Sequence, residues 1–248
     1  AVNSAAERSE VLQAVDAAFV TMAAMLALLA AFFWLQRRRI GTAAAEIPQV
    51  SGVSVLEALR SRWVMFGALA IGLYVGAEVS IGSIMIAYLH QSEILGLPLE
   101  QGGFYLANLY WGGALAGRFI GSILLTRVPA ARLLWLCASA ATLLCLLALA
   151  GAGPVSGYAA LGVGLFNSIM FPTIFTLTLE RSGVSHGSTS GLLVLAISLG
   201  AALPFLVGQL ADKASLAAVF AVPAAAYLTI ACFALRAAAV DPHRARSA

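Results

Sequence analysis

The stretch Tyr74–Ser83, YVGAEVSIGS, sets a glutamate in the middle of a long apolar run. At helical spacing Tyr74 and Gly82 share the face of Glu78. A carboxylate, a phenol and the gap left by a glycine can hydrogen-bond a hydroxylated ligand and stack on its apolar side. Two roles fit Glu78: a ligand contact, with or without reversible protonation, or a bond to a neighbouring helix that fixes packing. Asn167 lies in another apolar run, with Val163, Met170 and Phe171 on its face. Its amide is donor and acceptor at once, which suits a ligand hydroxyl and equally an interhelical bond worth about 1 kcal/mol in lipid. The segment ANLYWGG carries Asn108, Tyr110 and Trp111. Asn108 and Trp111, one turn apart, suit either a cavity wall or the aromatic belt at a membrane surface. Pro172 has no N–H for the carbonyl of Ser168 and predicts a kink there, either a gate or a plain irregularity.

Enzyme chemistry finds little support. GSTSG (Gly187–Gly191) resembles a nucleophile motif, but His186 is too close to Ser190 in sequence and lies in a loop. His90 and His243 flank apolar runs, and the chain has no HExxH and no phosphate loop. Cys137, Cys145 and Cys232 lie inside apolar runs without metal-ligand spacing and read as small hydrophobes. No catalytic residue, metal or organic cofactor is expected.

The elements that must hold these groups are membrane helices. Of 248 residues, 61% are hydrophobic and 10% charged, and the mean hydropathy is +0.94. A soluble domain carries about a quarter charged residues. Seven candidate spans cover residues 15–36, 63–89, 102–126, 131–151, 155–180, 188–210 and 214–236. Residues 37–62 are polar enough to lie in water or on the membrane surface. A glutamate at mid-depth costs at least about 3 kcal/mol, so it should face a cavity or a partner.

The net charge of +3 raises nucleic acid as a partner, but the basic residues form no groove-like patch. Span alternation puts twelve of the fourteen on one side, with Arg8 and Lys213 opposite. This is the positive-inside pattern: an external start, a cytoplasmic C-terminus and the central arginines in the cytoplasm. An odd span count beginning outside, with no signal-peptide pattern, leads to the expectation of a preceding N-terminal part with five more spans. Arginine outnumbers lysine thirteen to one, a compositional hint of a bacterial source.

Four stretches carry a family resemblance. YVGAEVSIGSIMIAYL (Tyr74–Leu89) and GLFNSIMFPTIFTLTLERSG (Gly164–Gly183) resemble the seventh and tenth helices of glucose/galactose and fucose permeases, sugar transporters of the major facilitator superfamily. GRFIGS (Gly117–Ser122) and SGLLVLAISLGAALPFLVGQLAD (Ser190–Asp212) agree with the same family. The resemblance implies an all-α integral membrane fold, the C-terminal six-helix half of a twelve-helix transporter plus the helix before it. On that reading residues 1–36 hold an external segment and the equivalent of helix six. Residues 37–62 are then the central cytoplasmic loop, 63–236 the six-helix half and 237–248 a cytoplasmic tail. It further implies import of a neutral sugar by ion-coupled alternating access in a bacterial inner membrane. The expected partners are the sugar, the bilayer and the missing N-terminal half, with H+ or Na+ as coupling ion. The substrate contacts expected are Tyr74, Glu78, Asn108, Trp111, Asn167 and Phe171. A transporter for another small solute, such as a drug or a metabolite, is the alternative on the same scaffold.

Superfamily halves contain two three-helix units of inverted topology. Glu78 and Asn167 each fall near the middle of the first helix of such a unit, running in opposite directions. Gly113, Gly117 and Gly121 recur every four residues, as do Gly72, Gly76 and Ser80, and such ridges let helices approach closely. Arg118 and the segment GRFIGSILLTRVPAARLL (Gly117–Leu134) resemble a degenerate form of the superfamily's cytoplasmic-loop motif, which implies salt bridging between halves in one access state. Ordinary positive-inside charge is the other reading. Every basic residue reads as terminal to its span, which favours a neutral, hydroxyl-rich ligand.

Overall fold

The computed structural model describes residues 5–45, 55–151 and 153–239. The expected tail from residue 240 onward, with His243, Arg244 and Arg246, lies outside them, as do residues 46–54 of the central connection. Two units separate, Ala1–Ser51 and Gly52–Ala248. Both are helical, with no strand among the described residues.

The described part of the first unit is one helix, α1 (Ala5–Ala45), whose stretch Val15–Arg37 is long and apolar enough to cross a membrane. The helix continues beyond the expected end of the span at residue 36. Arginine and alanine dominate that extension, and both are good helix formers. The Arg37 guanidinium sits 4.0 Å from the centroid of the Trp34 ring, a cation–π contact one turn apart.

The second unit begins with α2 (Val55–Arg60), where Glu57 in the first turn and Arg60 in the last complement the helix dipole. The helix α3 (Arg62–His90) starts at Ser61, whose hydroxyl accepts from the Val64 N–H at 3.4 Å. Next come α4 (Leu99–Tyr105), a π-helical segment (Leu106–Trp111) and α5 (Gly112–Leu125), which follow without a break. The remaining elements are α6 (Ala130–Leu149), α7 (Gly153–Asn167), α8 (Met170–Glu180), α9 (His186–Leu199), α10 (Ala202–Lys213), a 3-10 turn (Ala218–Phe220) and α11 (Ala221–Ala239).

Six helical stretches among the described residues are long and apolar enough to span: Val15–Arg37, Arg62–His90, Ala130–Leu149, Gly153–Glu180, His186–Lys213 and Ala218–Ala239. The span expected over residues 102–126 falls on the helical rod over residues 99–125, which a π-helical turn interrupts and which is not among these six. Two spans are broken where the backbone loses a donor. The span holding α7 and α8 breaks at Ser168–Ile169, four residues before Pro172, as the missing N–H requires. The α9–α10 span breaks at Gly200–Ala201, four residues before Pro204, and there Leu203 N–H closes a tighter bond to Gly200 C=O at 3.1 Å.

At the centre of the unit lies α3, which packs against α7, α8, α9, α10 and α11, while α6 packs on α7 and α11. In lipid, apolar surface alone does not drive helices together, so close backbone approach and interhelical bonds carry the association. Both glycine ridges supply that approach. A Cβ on Gly117 would meet Leu165 O and Ser168 Oγ, and one on Gly121 would strike Ile169, so the α5 ridge seats directly on the α7–α8 junction. On α3, a Cβ on Gly72 would lie 2.9 Å from Ala196 O, and one on Gly76 would lie 2.6 Å from Gly200 O.

Candidate functional site

Five of the residues singled out by sequence meet at one hollow. Tyr74 and Glu78 come from α3, Arg118 from α5, and Phe171 and Pro172 from the first turn of α8. With Val75 they line a cavity of about 500 Å³. Helical spacing sets Tyr74 one turn before Glu78, so its hydroxyl lies beside the carboxylate, and Arg118 is near enough to act on that carboxylate through its charge. Arg118 and Glu78 nevertheless close no ion pair. Among the described residues the one salt bridge is Arg181–Glu180, 3.0 Å apart at the end of α8. A cation and an anion thus face the same cavity while leaving space between them.

Pro172 explains the position of Arg118. The carbonyl of Ser168 has lost its normal helical donor, and Arg118 Nε donates to it at 3.4 Å. That bond holds the guanidinium at the α7–α8 break, next to the cavity. The sequence reading placed every basic residue at the end of its span. Arg118 differs, because α5 continues to Leu125 and leaves it about two turns inside the helix. Phe171 forms the apolar wall, with its ring centroid 6.2 Å from that of Tyr74 and 6.2 Å from that of Phe175.

Asn167 goes elsewhere. It is fully buried, and its amide donates to the Tyr110 hydroxyl at 3.2 Å. That hydroxyl in turn donates to the backbone carbonyl of Glu78 at 3.2 Å. Three spans are therefore tied together directly behind the carboxylate. Asn108 is exposed, and its amide donates back to Phe104 C=O at 2.9 Å. Trp111 is exposed too, with its ring 3.4 Å from where a Cβ on Gly82 would stand, so the gap left by that glycine receives the indole edge. Neither Asn108, Trp111 nor Asn167 lines the cavity. Gly113 and Gly117 face α7, with a Cβ on Gly113 reaching only to 3.6 Å from Leu165 N.

Sequence reasoning passed over Tyr110 as a site residue, although it is the hub of the buried bonds. The π-helical turn over Leu106–Trp111 adds residues to the turn, so a 3.6-residue wheel misassigns which side chain faces inward. A second hollow, of about 480 Å³ between α3 and the α9–α10 span, is lined by apolar side chains alone and offers a ligand nothing to hydrogen-bond.

Fold and cavity together define a class: a multi-pass helical membrane protein with charged and aromatic groups gathered around a hollow between its spans. The Major Facilitator Superfamily profile matches residues 13–204, and the chain belongs to that superfamily. It is similar to a protein of Brucella abortus (biovar 1, strain 9-941) named glucose/galactose transporter, with 38% identity over 188 residues, 76% of this chain and 45% of that protein. It is also similar to the L-fucose-proton symporter of Escherichia coli K12, with 30% identity over 177 residues, 70% of this chain and 37% of that protein. The crystal structure of the superfamily transporter FucP in the outward conformation superposes with a TM-score of 0.70 at 28% identity, covering 77% of this chain and 46% of that one. The chain spans about half the length of the curated relatives it matches. Those relatives are transporters, not enzymes.

Proposed function

We propose that this chain forms the C-terminal, substrate-binding half of an ion-coupled sugar importer. It would work by alternating access in a bacterial inner membrane with its C-terminus in the cytoplasm. The cavity that gathers Glu78, Tyr74 and Phe171 carries the reading. A carboxylate and a phenol can divide the hydroxyls of a pyranose between acceptor and donor, while the Phe171 ring stacks on its C–H face. The sugar class draws on the relatives named for glucose, galactose and fucose. Proton coupling draws on the relative named a proton symporter, with Na+ as the other candidate ion. On this reading residues 63–236 make one wall of the transport path, and a second six-helix unit supplies the other.

The test is uptake of labelled glucose, galactose and fucose by cells expressing the gene that encodes this chain. One of these sugars should accumulate, and collapsing the ion gradient should stop it. Glu78→Gln removes a charge-assisted hydrogen bond worth about 1.5–3 kcal/mol, so uptake should fall by about tenfold or more at equal protein level. Unchanged uptake and ion dependence would remove Glu78 from the site, and no accumulation of any of the three would remove the sugar reading.

Arg118 in the cavity wall favours a second reading, a solute that carries a negative charge. An acidic sugar would bridge Arg118 and the Tyr74 hydroxyl while avoiding Glu78. Competition decides between the two: the neutral-sugar reading expects glucuronate to leave glucose uptake unaffected, and the acidic reading expects the reverse.

A further inference from the structure

A smaller pocket of about 290 Å³ lies where α3 begins and α11 ends, lined by Arg62, Trp63, Phe66, Arg236 and Ala239. Its walls are held in place by aromatic packing. Trp63 stacks on Phe233 with ring centroids 4.9 Å apart and an interplanar angle of 22°. Phe66 meets the same Phe233 edge-on at 5.3 Å. The Arg236 guanidinium sits 5.4 Å from the centroid of the Phe66 ring.

Three donors around this pocket have no acceptor among the described residues. Neither Arg62 nor Arg236 takes part in the one salt bridge among the described residues, and no described Asp or Glu lines the pocket. The indole Nε1 of Trp63 is buried and has no hydrogen-bond partner. An indole nitrogen is a donor only, and a guanidinium offers a planar fork of donors, so the set is complementary to an anion with several oxygens. Arg62 opens the span Arg62–His90, and Arg236 lies in the last turn of the span Ala218–Ala239. Both ends belong to the boundary between hydrocarbon and water, where phospholipid phosphates lie and where tryptophan and arginine anchor spans.

We propose that this pocket binds a phosphate group, supplied by the headgroup of an anionic phospholipid at the arginine-rich face of the membrane. Arg62 and Arg236 clamp the phosphate oxygens, the Trp63 N–H adds a third bond, and the acyl chains follow the apolar sides of α3 and α11. Free phosphate shares the chemistry, and the experiment separates the two sources.

Protein extracted in detergent is offered phosphatidylglycerol or phosphatidylcholine, and bound lipid is counted by native mass spectrometry. Thermal unfolding is followed in parallel, with inorganic phosphate as a further arm. The wild type should retain phosphatidylglycerol severalfold over phosphatidylcholine and unfold at a higher temperature with it. The double variant Arg62→Gln/Arg236→Gln should lose that preference. Arg127→Gln, which removes a charge from the same face outside the pocket, should keep it. Stabilisation by inorganic phosphate that depends equally on Arg62 and Arg236 would support the phosphate site and name the free ion as its source. Undiminished lipid preference in the double variant, or equal loss in Arg127→Gln, would overturn the proposal. Should the double variant fail to fold, Trp63→Phe decides the matter. It keeps the ring on Phe233 but deletes the donor, and unchanged retention in it would likewise overturn the proposal.

Discussion

At the scale of single residues, Pro172 does more than bend a helix. By withholding one N–H it leaves the Ser168 carbonyl open, and Arg118 takes that acceptor. A charged side chain deep in a span must find partners, and here one partner is supplied by a backbone defect. The two positions should therefore be coupled. Pro172→Ala restores an N–H to the Ser168 carbonyl and displaces the guanidinium, so adding Arg118→Gln should cost less than it does in the wild type. A double-mutant cycle on thermal unfolding should give a coupling of about 0.5–3 kcal/mol, and strict additivity would show that the two do not act together. Glu78 is likewise positioned from behind. Its backbone carbonyl receives the Tyr110 hydroxyl, which Asn167 holds in turn. The polar residue that looked like a twin of Glu78 on the other three-helix unit thus packs behind the cavity wall.

Among elements, the controlling feature is how closely the helices approach. The α5 ridge meets the α7–α8 junction at unequal distances along its length. An added methyl at Gly117 would collide with the Leu165 carbonyl and Ser168, whereas one at Gly113 finds ordinary van der Waals room at 3.6 Å. Gly117→Ala should therefore cost about 1–3 kcal/mol, as overpacking does, while Gly113→Ala should be tolerated. Melting temperatures of the two variants in one detergent test the contrast, and equal effects would mean that the ridge is not a close contact. Because Gly117 immediately precedes Arg118, the displacement should also pull the guanidinium from Ser168 and lower uptake. Here the sequence pattern was a good guide, since a four-residue repeat of glycine has few other physical uses in a lipid-exposed helix.

For the molecule as a whole, charge decides orientation. Arg60 ends α2 and Arg62 opens α3, while Arg127 and Arg132 sit around the turn between α5 and α6, and alternation assigns them to one face. Single cysteines in a chain lacking Cys137, Cys145 and Cys232 test this. In intact cells a membrane-impermeant maleimide should label Ser92→Cys, in the opposite loop, and leave Arg127→Cys unreacted until the cells are opened. Equal labelling would refute the assigned topology. On the proposed function, the way this unit would meet a second six-helix unit depends on that sign.

Sequence alone determined a great deal of this protein. Runs of apolar residues about twenty long have one stable environment, so six of the seven expected spans were legible to within a few residues. Glycine ridges and prolines announced close contacts and breaks because their effects are local and steric. A glutamate amid apolar residues announced a cavity or a partner, because lipid offers it neither water nor counter-charge. Only the tertiary structure decided which of these groups meet. Glu78 and Arg118 lie forty residues apart in sequence yet face one hollow, and no periodicity encodes that. The inward turn of Tyr110 was hidden by a π-helical segment that departs from the 3.6-residue period on which face assignment rests. The place of Arg118 followed from a hydrogen bond to another helix, and such a bond exists only once the helices have packed.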